Sequence, residues 1–396
     1  MRALVISELF GPTRGGTAVW FDHVYRRPEA AGSEVVTAKV PGSDAFDAVY
    51  PRTVHRSGWR RHRWLRPESA AIYAGLLARV ARLAGSGRFE AIHAGRVLPE
   101  GLIAVVVGRW SGLPVLIYAH GEEITGWREP FKRATMQWAY RRADAVIANS
   151  PFTRDLLVEL GVGRERIAII HPGVDAARYS PEVDGSGVRR SLGIGSARLV
   201  LSVGRLQARK GFDRVIAALP TVTRRVGPVH YVVVGAGEDE KRLRSLAFEH
   251  HVADRVHFAG EVPEGELPVW YAACDAFAMP NRDIDGDTEG FGMVFLEAAA
   301  SGKCALAGLE GGTGFAVVSG RTGLRVPGRN VAAVAEGLIR LLSSPEASER
   351  MGRLGRQRVL RGFTWEKVAC RTRRLHEALV SARGSGNPIA AMGEAP

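Results

Sequence analysis

The chain has 396 residues, 46% hydrophobic and 24% charged, with a formal net charge of +13. At about 150 residues per domain this is a globular composition for two domains, each large enough to bury a core. Three scattered cysteines (Cys274, Cys304 and Cys370) exclude a disulfide framework and point to a reducing cytosol, and the longest apolar run, 102–108, is far below the ~20 residues of a membrane span.

The opening "MRALVISELFGP" predicts a first strand, its apolar run being too short for a signal peptide. Strand-like runs follow at 34–40, 90–95, 114–120, 145–150 and 167–173, with helical patterns such as 68–84 and 128–142 between them. Strands apolar throughout and alternating with helices predict a parallel sheet covered on both faces. The Gly-, Ser- and charge-rich stretch at 181–197 reads as a linker. The pattern then restarts at 199–205, 230–237, 256–260, 276–280 and 304–308. The expected organisation is an N-terminal domain over 1–180, the linker 181–197 and a C-terminal domain over 198–363. A last amphipathic helix over 364–382 carries an apolar stripe that must dock, and 383–396 has no periodicity and reads as a flexible tail.

Ligands of such sheets bind at the carboxyl ends of the strands, so the turns there are the places to search. After the first strand, Gly15 and Gly16 let backbone approach a ligand and open a helix whose N–H groups suit an anion, although a plain tight turn reads the same way. His120 ends the run "PVLIYAH", where a structural histidine is equally compatible. In "GRLQARKG", Arg205 and Lys210 bracket a turn and together would neutralise a diphosphate. Arg209 fits a solvated basic loop. In "DGDTEGFGMVFLEAAASGK", Glu289 stands in the loop and Glu297 on the following helix, separated by a Gly-Phe-Gly turn; the pair suits two parts of one elongated polar ligand. The alternating acids Asp283, Asp285 and Asp287 do not meet the calcium-loop template, which wants Gly at position six and Glu at position twelve.

"GRLQARKG", "EGFGMVFLEAAASGK" and "IIHPGVDAARYSP" together resemble, in order and spacing, the retaining GT-B glycosyltransferases of family 4. The longer stretch from Phe277 to Lys303 looks most like bacterial mannosyltransferases of the phosphatidylinositol-mannoside type and their polysaccharide-assembling relatives. The resemblance implies an α/β fold of two Rossmann-like parallel-sheet domains facing across a cleft. It implies a retaining hexosyltransferase that uses a GDP-sugar or UDP-sugar as donor substrate, with no cofactor and no metal. Arg205 and Lys210 would hold the diphosphate, Glu297 the ribose hydroxyls, and Glu289 the transferred sugar. Gly290, Phe291, Gly292, Met293 and Val294 would supply the turn and helix start. Gly15 and Gly16 would approach the phosphates, Glu261 and Val262 the base, and His120 the reacting sugar. Where the family often has an acid after the paired glycines, this chain has Phe315, so that acid's role does not carry over.

The expected acceptor is a glycan, a lipid-linked or a small molecule. Only six of the 54 basic residues are lysines. This arginine excess reads either as codon supply or as a surface for phosphates or anionic lipid. The stretch 55–68, with five Arg, two Trp and two His, reads either as a contact with an anionic membrane or as a solvated loop. Localisation at the inner face of the membrane follows from the first reading. Nucleic acid is not expected, since no reading module is present. A GT-B-shaped binding subunit without catalysis and a sugar phosphorylase or epimerase of the same shape are the alternatives.

Overall fold

The computed structural model describes residues 1–13, 15–59, 70–127 and 129–382. It divides into two compact units, 1–172 together with the chain from Trp365 onward, and 173–364.

The first unit is built on seven parallel strands: β1 (Ala3–Ile6), β2 (Glu34–Ala38), β3 (Val54–Ser57), β4 (Ala91–Ala94), β5 (Val115–Ala119), β6 (Ala145–Ala148) and β7 (Ile167–Ile169). Their order is β3-β2-β1-β4-β5-β6-β7. The central strands β1, β4, β5 and β6 are buried at every residue, which is why they read as unbroken apolar runs. The edge strand β3 was not expected. Its sequence "VHRS" is half-buried and polar, and it is held by its parallel ladder to β2 and by polar side-chain contacts rather than by a core face. His55 lies 2.7 Å from Glu34, and Arg56 reaches Asp47 at 2.8 Å. These two residues of the Arg-rich stretch 55–68 therefore tie the edge of the sheet. Residues 60–68 of that stretch, like the expected tail at 383–396, lie outside the described residues.

The helix Trp365–Ser381 completes the first unit. It buries Trp365, Val368, Leu375 and Leu379, four positions of its apolar stripe. Trp365 stacks on His23 with ring centroids 4.9 Å apart, and Arg27 pairs with Glu366 at 2.7 Å. A buried polar chain runs inward from the same helix. His376 lies 3.0 Å from His93, and His93 lies 2.7 Å from the Tyr25 hydroxyl. Burial pushes both imidazoles below their ordinary value, although Glu90, 3.2 Å from His376 Nε2, acts against it.

The second unit has six parallel strands: β8 (Arg198–Val203), β9 (Val229–Val234), β10 (Val256–Gly260), β11 (Ala276–Met279), β12 (Cys304–Gly308) and β13 (Gly323–Val326). Their order is β10-β9-β8-β11-β12-β13. The short edge strand β13, "GLRV", was not expected from sequence. The stretch 181–197 is a second correction. It contains the helix Ser186–Ser191, and Val188 and Ile194 are buried in this unit's core beside Leu199 and Tyr271. Gly185 sits so tightly on the backbone of Ala272 and Ala273 that a Cβ would collide with it. The composition of a linker thus belongs here to a segment packed against the sheet's helices.

Leu375 is fully buried, so Leu375→Ala should cost about 2–5 kcal/mol of the first unit's stability, the usual range for a large-to-small core change. Urea-dependent hydrogen exchange followed at the amides of β1, β4 and β5 checks this.

Candidate functional site

In the second sheet the strand order reverses between β8 and β11, and the turns leaving those two strands flank the crevice where open parallel sheets bind ligands. The turn 204–211 follows β8 and the loop 280–292 follows β11. Their backbones touch. Gly211 has φ +83°, and a Cβ there would collide with the Pro280 carbonyl, so only glycine fits.

That contact brings three charged side chains together. Lys210 Nζ donates to a Glu289 carboxylate oxygen, and Arg209 Nη1 donates to the same oxygen at 2.8 Å. Arg209 Nε also faces Asp287 at 3.0 Å. The three side chains of the cluster, Arg209, Lys210 and Glu289, are only 10–13% exposed. Burial by itself raises the Glu289 carboxyl, but the Lys210 ammonium and then the Arg209 guanidinium override it and hold it down at about 2.

Glu297, eight residues on, has a different environment. It lies on the helix Met293–Ala300 and accepts a 2.6 Å hydrogen bond from the Tyr271 hydroxyl. Among the described residues no cation forms a salt bridge with it. Burial pushes its carboxyl up to about 7, against the Tyr271 hydrogen bond, with Glu264 raising it further and Arg178 lowering it. Between the two acids, Gly290 and the buried Phe291 lead to Gly292, whose φ of +83° caps the helix, and a Cβ there would strike the Phe295 ring. Helix geometry leaves the N–H groups of Met293 and Val294 without an intrahelical acceptor.

The remaining expected residues are placed less centrally. Arg205 does not join Lys210. Its side chain is 69% exposed and its Nε lies 3.5 Å from Glu238. Arg209, read from sequence as solvated, takes the inner position; its adjacency to Lys210 was the one available signal. Glu261 is exposed and Val262 half-buried after the edge strand β10. The Gly235–Gly237 turn packs against the backbone of Gly204 and Leu206. Of the alternating acids, Asp283 accepts from Gly286 N–H at 2.9 Å and Asp287 pairs with Arg209. Among the described residues no group of three or more His, Cys, Asp or Glu side chains is arranged to hold a metal. Phe315 packs on the Arg358 guanidinium, 4.8 Å from its ring centre.

In the first unit, His120 follows β5 and is 9% exposed. Its N–H donates to Glu123 at 2.9 Å, and its ring Nε2 lies 2.9 Å from the Gly95 carbonyl. A carbonyl only accepts, so Nε2 carries a proton, and in the tautomer this selects Nδ1 is left to accept. Gly15, at φ +135°, begins the helix that starts at Gly16, and a Cβ at Gly15 would meet nothing within 4 Å.

Solved structures share this fold. An Anabaena protein, HepE, crystallised with UDP, superposes with a TM-score of 0.82 at 20% identity, covering 96% of this chain and 100% of that one. WaaG, a glycosyltransferase involved in lipopolysaccharide biosynthesis, does so at 0.70 and 17% identity, covering 97% and 100%. Two parallel-sheet α/β domains of this kind define the GT-B glycosyltransferase class. Glycosyltransferase Family 4 matches residues 14–178 and glycosyl transferases group 1 matches 188–358. A GDP-mannose-dependent alpha-(1-6)-phosphatidylinositol monomannoside mannosyltransferase from Mycobacterium tuberculosis is 32% identical, over 93% of this chain and 96% of the relative. Its Mycolicibacterium smegmatis counterpart is 31% identical over 96% and 99%. The chain belongs to the group 1, family 4 glycosyltransferases.

A carboxyl held above its ordinary value binds its proton more tightly in the folded state. Its contribution is complete below the ordinary carboxyl range and is lost as pH rises through about 7. Melting temperature should therefore fall from pH 5 to pH 8 more steeply in the unchanged protein than in Glu297→Gln, as differential scanning fluorimetry would show.

Proposed function

We propose that this enzyme moves mannose from GDP-mannose to a lipid-linked acceptor of the phosphatidylinositol-mannoside type, with retention of anomeric configuration. Hexosyl transfer from a nucleotide-diphosphate sugar is the activity its family membership supports. The names of relatives at 30–32% identity support the particular donor and acceptor. The observation that carries the site assignment is the convergence of Lys210 and Arg209 on Glu289 at the strand-order reversal.

In this reading Lys210 and Arg209 take the charge of the donor's diphosphate, and Arg205 stands at the exposed rim of the same turn. Glu297 accepts from the ribose hydroxyls, and Glu289 accepts from hydroxyls of the mannose. The Met293 and Val294 N–H groups face developing negative charge. During transfer the bond from the anomeric carbon to the phosphate oxygen breaks with its electron pair on the phosphate. The acceptor oxygen forms the new bond to the same carbon, and its proton passes to the departing phosphate. Positioned donors around leaving oxygens supply the largest single contribution in such a step. No cofactor and no metal enters this scheme. Within the first unit, His120 is assigned to accept from a hydroxyl of the reacting sugar, and Gly15 and Gly16 to let backbone approach a phosphate. Glu261 and Val262 are assigned to the base. A lipid-linked acceptor would place the enzyme at the inner face of the membrane, with anionic lipid as a peripheral partner.

Lys210→Ala and Arg209→Ala should each lower kcat by about 100-fold or more, the scale of losing one oxyanion-type donor. Turnover within a few-fold of the unchanged enzyme in both would remove the diphosphate assignment. GDP-mannose should raise the melting temperature more than UDP-glucose or UDP-galactose at equal concentration, since a ligand bound only by the folded state stabilises it. The reverse order would overturn the donor assignment.

A further inference from the structure

We propose that a buried ion pair between Arg282 and Asp213 is the positioning clamp that sets the Arg209–Lys210 turn against the Glu289 loop. This inference rests on the diphosphate reading above and adds two residues whose side chains pair with each other rather than with the charged groups of the cluster.

Arg282 grips the turn at two points. Its guanidinium donates from Nη1 and Nη2 to the two carboxylate oxygens of Asp213, both at 2.9 Å. Its backbone N–H donates to the Arg209 carbonyl at 2.8 Å. Asp213 and Arg209 lie on either side of Lys210 and Gly211, so one residue of the β11 loop spans the whole turn that carries both cations. Bidentate geometry fixes direction as well as distance.

The loop is held equally firmly on its other side. Asn281, fully buried, donates to the Glu310 carbonyl at 2.7 Å and accepts from Gly308 N–H at 3.0 Å. The Gly312 N–H donates to the Glu289 carbonyl at 2.7 Å. Residues 280–283 therefore join the cation turn on one side to the end of β12 and the turn behind Glu289 on the other.

The chemistry of the clamp argues against a purely stabilising purpose. The Arg282 and Asp213 side chains are 6% and 7% exposed. A buried ion pair is often no more stabilising than apolar residues of similar volume. What apolar residues cannot supply is the directional fork that orders Arg209 and Lys210. Two further guanidiniums, Arg214 at 3.4 Å and Arg242 at 3.8 Å, lie against the outer side of Asp213 and keep its carboxylate compensated.

The test uses the full chain and two probes, GDP and GMP, which differ by the β-phosphate. Two variants are compared: Arg282→Lys, which keeps both charges but loses the fork, and the double variant Arg282→Met with Asp213→Leu, which replaces the pair by apolar bulk. In both, GDP affinity by calorimetry should fall about tenfold or more while GMP affinity stays within about twofold, as expected when a binding group is displaced by roughly an ångström. The melting temperature of the double variant should stay near that of the unchanged protein. Unchanged GDP affinity in either variant overturns the proposal. So does parallel loss of GDP and GMP binding with a lowered melting temperature, which would make the pair a structural tie. Lys210→Ala separates the two levels of the argument. If it too leaves the GDP-over-GMP preference intact, the diphosphate reading has failed; if it abolishes that preference and the Arg282 variants do not, only the clamp has failed.

Discussion

The site depends on one electrostatic constraint. A carboxylate is buried at the strand-order reversal of the second sheet, and it remains an anion because two cations meet it there. Taking Glu289 out of water with both cations absent would leave its charge uncompensated, at a cost of several kcal/mol. That requirement explains the backbone around it. Gly211 lets the cation turn lie directly on the Pro280 carbonyl, and Gly311 lets the neighbouring turn lie on the Glu289 carbonyl. A side chain at either position would push apart the groups whose charges must meet.

The two acids of the motif have diverged through environment alone. Glu289 is pinned by cations and cannot take up a proton near neutrality, whereas Glu297 has a phenol for its close partner and sits near its midpoint. A carboxyl near neutrality, with Tyr271 fixing its orientation, suits neutral hydroxyl groups that donate to it. In the first unit the same economy of means appears at His120, where a single backbone carbonyl determines which ring nitrogen is left to accept.

The central strands and both sheets were legible from sequence because parallel strands buried on both faces are apolar at every position. The edges were not. β3 and β13 are short, half-polar and held by pairing to one neighbour, so neither periodicity nor hydropathy marks them. The segment 181–197 misled for the opposite reason: glycine and serine there permit close packing onto another helix, which composition cannot distinguish from freedom. At the site, the acids and glycines were recognisable by spacing, and Lys210 by its place before a helix. Which of two arginines turns inward was not recognisable. Arg209 and Arg205 flank the same turn, and the choice is made by a loop some 80 residues away.

The first unit is interrupted in the chain, its sheet lying before residue 172 and its last helix after residue 364, with the whole of the second unit between. On a ribosome the order of emergence is therefore fixed. The early sheet must wait, with the groove that later receives Trp365 and Leu375 still open, until almost two hundred further residues have been made. The second unit, contiguous, can close as soon as it is released. A chain halted before Trp365 would therefore carry every strand of both sheets but lack the helix that buries Trp365 and Leu375, so the last packing step of the first unit depends on translation running through the second.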